Sequence, residues 1–507
     1  MPHETPTIVI GAGPAGLTAA YYLATRGIPV TVLEADPEYV GGLARTVAYR
    51  GFRFDLGGHR FFSKNPEIEA FWSAVLGDDL LVRPRLSRIY FRGAFYDYPL
   101  KPWNAFRNLG PLETARCVGS YLRARVAPRR PVVSFEDWVA NQFGYRLYSL
   151  FFKTYTEKVW GIPCRALSAD WAAQRIQGLS LATVVRSAFG IKPSGDDPTR
   201  VVKTLITSFR YPRHGPGMLW ERVRDLVRRA GGEVLMGRRV VRVERVAGGG
   251  LQVTTADPAG GPPTPFVGRH VISTMPLAEL VRALRPSPPA AVQEAAAGLS
   301  YRDFLSVALI VDRATVFPDN WIYVHDPDVH VGRVQNFKNW SPDLVPDPAK
   351  TCLGLEYFVS EGDPLWTLPD RDLVDLGIRE LARIGLVRPD EVEDGHVVRV
   401  RKAYPVYDEG YRDRVAVLRH FLEAHWPDIL PAGRNGMHKY DNQDHAMMTG
   451  LVAARRIADG VDLDPWKVNA DAVYHEVVGE SDTGRTQPTF GLGPGSPGGR
   501  GRDATGR

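Results

Sequence analysis

Across 507 residues, 44% of them apolar, the chain carries 63 basic and 57 acidic side chains, a net charge of +6. So small an excess for the length does not argue for a nucleic-acid partner, and the apolar share is enough for more than one buried core. The three cysteines, Cys117, Cys164 and Cys352, stand far apart with no C-x-x-C pair, so no metal site is expected. Few cysteines, no leader with a basic start and apolar core, and no apolar run approaching about 20 residues predict a cytoplasmic chain without a transmembrane segment; peripheral membrane contact stays open. Basic runs at 123–130 and 222–229 read first as solvated faces and second as contacts to an anionic surface.

Thr7-Ile8-Val9-Ile10 is an apolar β run, and Gly11-Ala12-Gly13-Pro14-Ala15-Gly16 follows it. Residues 17–25 then read as helix, and a second β run at 29–33 ends in Glu34, 23 positions after Gly11. This is the dinucleotide-binding fingerprint in its full β-α-β context. Gly11 allows the tight turn, Gly13 lets the backbone approach a pyrophosphate, and Gly16 lets the helix pack close to the strand. Pro14 and Ala15 open a helix whose free N–H groups and positive dipole end suit phosphates, and Glu34 suits ribose hydroxyls.

The segments around it favour FAD over NAD. Gly41-Gly42-Leu43-Ala44-Arg45 and Gly57-Gly58-His59 are glycine-pair loops able to bring backbone N–H groups to a planar ring. Far downstream, Gly433-Arg434, then Tyr440-Asp441-Asn442 and a helical run to 457, offer a second helix N-terminus to the same cofactor. Val240, at the head of a β run over 240–245, completes the expected cofactor contacts.

The remaining elements follow in order. Residues 86–91 and 95–98 read as paired strands about Arg92-Gly93, and 103–204 as mostly helical, with one helix opening at Phe135-Glu136-Asp137-Trp138. Strands are predicted at 233–236, 240–245, 253–255 and 270–274, with a loop or hairpin at 258–265. A second sheet is expected from 303–312, 321–325, 331–337 and 352–359, and helices at 371–386 and 411–425. From 480 to 507, Gly, Pro, Ser, Thr and Arg dominate and predict a disordered tail; its Gly493-Pro494-Gly495-Ser496-Pro497-Gly498 fits G-x-G-x-x-G by letter only. The expected units are a discontinuous cofactor domain (1–80, 213–300, 428–460), a sheet edge with a helical domain (81–212), and an antiparallel substrate sheet (301–427).

The block Phe151-Phe152-Lys153-Thr154-Tyr155-Thr156-Glu157-Lys158-Val159-Trp160-Gly161 narrows the family. Further matching blocks come in order: Ala173-Gln174-Arg175-Ile176, Gly332-Arg333-Val334, Ala403-Tyr404-Pro405-Val406, Gly433-Arg434 and Tyr440-Asp441. With the fingerprint and Gly57-Gly58-His59, they make residues 8–457 resemble the UDP-galactopyranose mutase-type flavoproteins, within the broader set of protoporphyrinogen oxidase and amine oxidases. The resemblance implies an α/β fold with a Rossmann-like FAD domain, a helical domain and a twisted antiparallel sheet. It implies interconversion of pyranose and furanose forms of a nucleotide sugar without net redox change. Reduced FAD, kept reduced by an external reductant, attacks the anomeric carbon through N5 and displaces the diphosphate.

That resemblance makes Arg175 and Arg333 the diphosphate clamp, a role that suits a permanently charged planar fork. It puts His59 at the flavin ring, Tyr155, Tyr404 and Tyr440 at phosphate or sugar, and Trp160 in the substrate cleft. The sequence departs at Phe62, where a second histidine is usual, and at 176–211, which is longer and carries no evident uracil-stacking residues. The nucleotide and sugar stay open, as does the oligomeric state, a homodimer included. An FAD-dependent oxidase or dehydrogenase chemistry on the same scaffold is the alternative. Gly and Pro near 190–200 suggest a mobile lid.

Overall fold

The computed structural model describes residues 3–169, 171–172, 207–257 and 260–468. The expectations for Arg175, for the lid and for the 480–507 tail lie outside these residues.

The strand His3–Ile10 centres an eight-stranded sheet, pairing in parallel with Val30–Leu33 on one side and Thr264–Ser273 on the other. Glu233–Leu235 extends it beyond Val30–Leu33, and Arg239–Arg245 and Leu251–Ala256 continue it antiparallel beyond Thr264–Ser273. The helix Pro14–Ala24 is apolar all round and buried from Ala15 to Ala24, as a helix covered on every side should be. Its neighbour is the helix Gln443–Ala458, and glycine sets their spacing: a Cβ on Gly450 would stand 2.1 Å from the Ala15 carbonyl oxygen. A Cβ on Gly16 would stand 1.9 Å from the Gly11 carbonyl oxygen.

The second sheet has seven strands. Tyr301–Val311 and Thr351–Val359 lie antiparallel at its heart, and both are almost wholly buried. The hairpin Ser87–Phe91/Ala94–Asp97 turns at Arg92 and Gly93, both at positive φ (50° and 75°). A two-residue turn of that hand matches strand twist. It joins the sheet through parallel pairing with Trp321–Val324. The edge strand Val392–Pro405 had no counterpart among the predicted strands. Its charged residues obscure the alternation, as is usual where an edge strand must resist pairing with other chains.

Four helices, Pro102–Val126, Phe135–Phe143, Tyr145–Phe151 and Lys153–Trp160, pack beside this sheet. Ser134 and Asp137 close a capping box on the second of them. The helix Tyr411–His425 departs from the expected grouping of 301–427. Its Leu418 and Leu422 join the core of Ile8 and Val271 in the first sheet, because that is the face its apolar stripe meets. Among the described residues, no helix is long and apolar enough to cross a membrane, no cluster of three metal-ligating side chains occurs, and the three cysteines are buried and unpaired.

Overpacking at the helix contact should cost about 1–3 kcal/mol. A Gly450→Val variant should therefore unfold several degrees lower and purify with less flavin absorbance. An unchanged midpoint and full flavin content would show that the close approach is dispensable.

Candidate active site

The early glycine loop and the late helix converge at Ala15. Gly433, at φ +78°, would place a Cβ 3.0 Å from the Ala15 Cβ, and its N–H donates to Thr449 Oγ1 at 2.8 Å. Gly11 sits at φ +96° with its N–H on the Leu33 carbonyl at 2.8 Å, and a Cβ there would strike Thr274 Oγ1. Gly13 instead faces open space, with nothing within 4 Å of a Cβ, at the N-cap of Pro14–Ala24. A pyrophosphate can therefore come against the backbone there.

Glu34 accepts the Ala12 amide at 2.6 Å and the Asp36 amide at 2.8 Å, and burial raises its carboxyl above the usual range. A carboxylate with two donors still has lone pairs for ribose hydroxyls. The Gly41 N–H bonds the Ala12 carbonyl at 2.8 Å, and Gly42 lies over Gly13, so the second glycine loop closes onto the first. Leu43 reaches on into the cleft. Arg45 pairs with Asp36 at 3.0 Å. Val240 packs with Ile10 and Leu33 beside the strand end bearing Glu34, where the Arg238 N–H bonds the Glu34 carbonyl at 2.6 Å.

The cleft itself opens between the Gly57-Gly58-His59 loop, the second sheet and the N-terminus of Gln443–Ala458. Gly58 lies on the sheet so closely that a Cβ would stand 3.0 Å from Gln335 Nε2 and 3.1 Å from the Trp340 ring. His59 Nδ1 lies 3.2 Å from the Gly57 carbonyl. Burial, then Arg434 and Arg333, push its imidazole down to about 4. The ring is thus neutral, and with Nδ1–H on the carbonyl, Nε2 is left as an acceptor. Below this loop, buried Asp55 takes hydrogen bonds from Tyr211 (2.5 Å) and Thr46 (3.1 Å), and burial pushes it up to about 7. Asn442 caps the late helix at the cleft, with buried Asp441 before it.

Arg333 is held by a buried partner. Its Nε donates to Glu356 Oε2 at 2.6 Å, its Nη2 reaches the same oxygen, and Gln335 Nε2 donates to Oε1 at 2.6 Å. Burial is the largest effect and works against the guanidinium charge, but Glu356 together with Tyr155, Tyr404 and Tyr323 outweighs it and holds the pKa well above the ordinary value. Arg434 is different. It donates to the carbonyls of Asp441 (2.9 Å) and Ala403 (3.1 Å), lies 5.4 and 5.0 Å from the Tyr404 and Tyr440 ring centres, and has no ion pair among the described residues. Those two rings stack at 5.7 Å, and burial pushes the Tyr404 phenol up to about 12. Tyr155 stacks on His325 at 4.8 Å and meets Tyr323, a cleft residue, edge-on.

The structure therefore brings Arg333, His59, Tyr404, Tyr440 and Arg434 to one cleft, with Tyr155 behind Tyr323. Trp160 does not line the cleft. It is 1% exposed, packs with Trp171 and Tyr148, and meets Tyr404 and Tyr440 from behind. Glu356 went unnoticed in the sequence, although a lone acid in the apolar run Leu353-Gly354-Leu355-Glu356-Tyr357-Phe358 was its signal. A separate surface pocket beside Arg92, Asp326 and Arg383 shares none of the cofactor loops.

The open face of Gly13 at a helix N-terminus, the acceptor Glu34 and two glycine loops fit a flavin dinucleotide, and fold and site together define an FAD-dependent flavoenzyme. The chain belongs to the family of flavin-containing amine oxidoreductases, whose model matches residues 14–458. Among curated relatives, Protoporphyrinogen oxidase 2 of Arabidopsis thaliana is 43% identical over 77 residues, 15% of this chain and 14% of that one. An L-amino-acid oxidase of Crotalus adamanteus is 31% identical over 137 residues, 23% of this chain and 26% of that one. The chain thus matches about a quarter or less of these relatives' length. A crystal structure of reduced UDP-galactopyranose mutase superposes with TM-score 0.79 at 22% identity, covering 93% of this chain and 97% of that one. A putative protoporphyrinogen oxidase from Exiguobacterium sp. 255-15 gives 0.69 at 18%, covering 90% and 99%.

His59 binds its proton more weakly in the folded chain (about 4) than at its ordinary value of 6.5. Between these values the unfolded chain holds the extra proton, so stability rises with pH and is lost as pH falls from about 6.5 to 4. A His59→Gln variant should lose less Tm than the parent between pH 7 and pH 4.5. Equal losses in both would mean that His59 is protonated in the native state.

Proposed function

We propose that the enzyme is an FAD-dependent sugar-nucleotide mutase, interconverting pyranose and furanose forms without net redox change. The observation that carries this reading is the pairing of two arginines of different character across one tyrosine-lined cleft. Arg434 forms no ion pair among the described residues, which suits it to an anionic diphosphate. Arg333 is oriented by Glu356 so that its remaining donors stay fixed, which suits a phosphate that must be held while its bond to the sugar breaks. Tyr404, its phenol raised by burial, and Tyr440 stacked on it supply hydroxyls for sugar or phosphate oxygens, and Tyr155 backs the cleft through Tyr323. Neutral His59 offers an acceptor at the flavin edge rather than a competing positive charge. In this reading reduced FAD supplies the nucleophile toward the anomeric carbon, and Arg175 is the second diphosphate clamp. The nucleotide sugar and an external reductant are the partners, and the chain acts in the cytoplasm.

A second reading is oxidation of a substrate by FAD. The family match and the L-amino-acid and protoporphyrinogen oxidases among the relatives favour it. The two readings separate on one experiment. A panel of nucleotide sugars is mixed with the protein, oxidised and then dithionite-reduced, while ring form and flavin absorbance are followed. Ring conversion confined to the reduced state, without net electron transfer, is expected. Bleaching of the oxidised flavin by a substrate would replace the mutase with an oxidoreductase.

Arg333→Lys should keep the flavin and the pairing with Glu356 yet lower turnover by about 100-fold or more, since the bidentate donor fork is lost. Unaltered turnover in Arg333→Lys and Arg175→Ala alike would rule out the proposed clamp.

A further inference from the structure

The helix Pro102–Val126 breaks the rule that an apolar stripe faces inward. Its inner face packs on the helices Phe135–Phe143 and Tyr145–Phe151, with Cys117 its one buried residue. Its outer face repeats apolar and small residues at alternating steps of three and four: Leu112, Ala115, Gly119, Leu122, Val126. Leu112, Leu122 and Val126 are 66%, 58% and 87% exposed. Before the kink at Gly110-Pro111, Trp103 is 76% exposed and stacks on Phe106 at 5.8 Å. A surface helix ordinarily turns such a stripe into the core.

The charge around this stripe is one-sided. Residues 101–133 carry seven basic side chains and one acidic, a net of +6, which equals the net charge of the whole chain. The single acid, Glu113, is taken by Arg146 and Arg116. Arg107, Arg123, Arg125 and Arg130 are exposed and form no ion pair among the described residues. Exposed Trp, Phe and Leu beside unpaired arginines is the pattern of a helix lying in a lipid interface.

We propose that Pro102–Val126 seats the protein on an anionic lipid surface. Charge decides among the occupants. A second copy brought up by a twofold would oppose two segments of +6, whereas anionic headgroups complement them and acyl chains take the stripe. A nucleic acid would meet the arginines but leave the leucines and Trp103 in water. The seat is also near the site. Tyr98, just before the helix, packs on the cleft residue Tyr323 at 5.1 Å, so the docked face adjoins the sheet that carries Arg333.

The test is co-sedimentation of the full flavin-loaded chain with phosphatidylcholine vesicles, with and without phosphatidylglycerol. Two double variants are compared: Leu112→Ser with Leu122→Ser, and Arg123→Glu with Arg125→Glu. The parent should bind the anionic vesicles, bind more weakly as salt rises, and leave neutral vesicles unbound. Each double variant should lose about tenfold or more in vesicle affinity while Tm and flavin spectrum hold. Several results would overturn the proposal. One is no binding at low salt, and another is full binding by the leucine variant. A third is a parent dimer that the leucine variant abolishes, with no vesicle binding, which would assign the stripe to a second copy. Duplex DNA binding by the parent, unaffected by the leucine changes and unaccompanied by vesicle binding, would assign the arginines to nucleic acid.

Discussion

The cofactor end of the molecule rests on a backbone approach that no side chain permits. Pro14–Ala24 and Gln443–Ala458 cross where Gly450 meets the Ala15 carbonyl, and Gly433 meets Ala15 from the other side. Residues separated by more than four hundred positions thereby hold the N-terminal turn of the first helix against the middle of the late helix, whose own N-terminus stands at the cleft. The apolar wrapping of the first helix follows from this. With sheet on one side and helix on the other, it has no face left for polar residues. The arrangement also joins the two sheets, since the late helix begins at the cleft that the second sheet walls.

Within the cleft the electrostatics divide the labour between two cations. Burying a carboxylate such as Glu356 costs several kcal/mol unless it is paired and hydrogen-bonded. Here two donors of Arg333 and one of Gln335 meet that need, while Gln335 itself receives the Trp340 indole N–H at 3.1 Å. The result is a rigid, nearly neutral group. Arg434 lies against two stacked tyrosines and donates to two carbonyl oxygens, with no ion pair among the described residues. It also helps to keep His59 neutral. Pairing Arg333 with Glu356 avoids the cost of two adjacent uncompensated guanidinium groups in one cleft.

What the sequence disclosed and what it hid divide along a physical line. Features set by neighbouring residues were legible: the fingerprint with its Glu34, the turn at Arg92-Gly93, the helix opening at Phe135, and the glycine pairs, of which Gly58 sits against Gln335 and Trp340 and Gly42 over Gly13. Features set by distant packing were not. Nothing local marks Gly450 as a contact point or sends Tyr411–His425 to the first sheet, and the charges of Val392–Pro405 mask its strand character. Trp160 illustrates the same limit. Its place in a conspicuous block suggested a cleft residue, but the helix Lys153–Trp160 turns that ring inward, and the tyrosines in front of it, Tyr404 and Tyr440, line the cleft instead.

Pro14–Ala24 and Pro102–Val126 show opposite uses of apolar helix surface. The first satisfies every apolar residue internally, and its position is fixed by glycines on two partners. The second satisfies one face and presents the other, bordered by arginines, to the exterior. Exposed leucines alone would be unremarkable, because much of any protein surface is apolar. What distinguishes this helix is their regular spacing together with the concentration of the chain's entire net charge beside them. Solubility requires neither feature, and a single-signed field on one helix biases how the molecule meets a charged surface. The same helix lies beside the hairpin that extends the Arg333 sheet, so orientation at that surface would also orient the cleft.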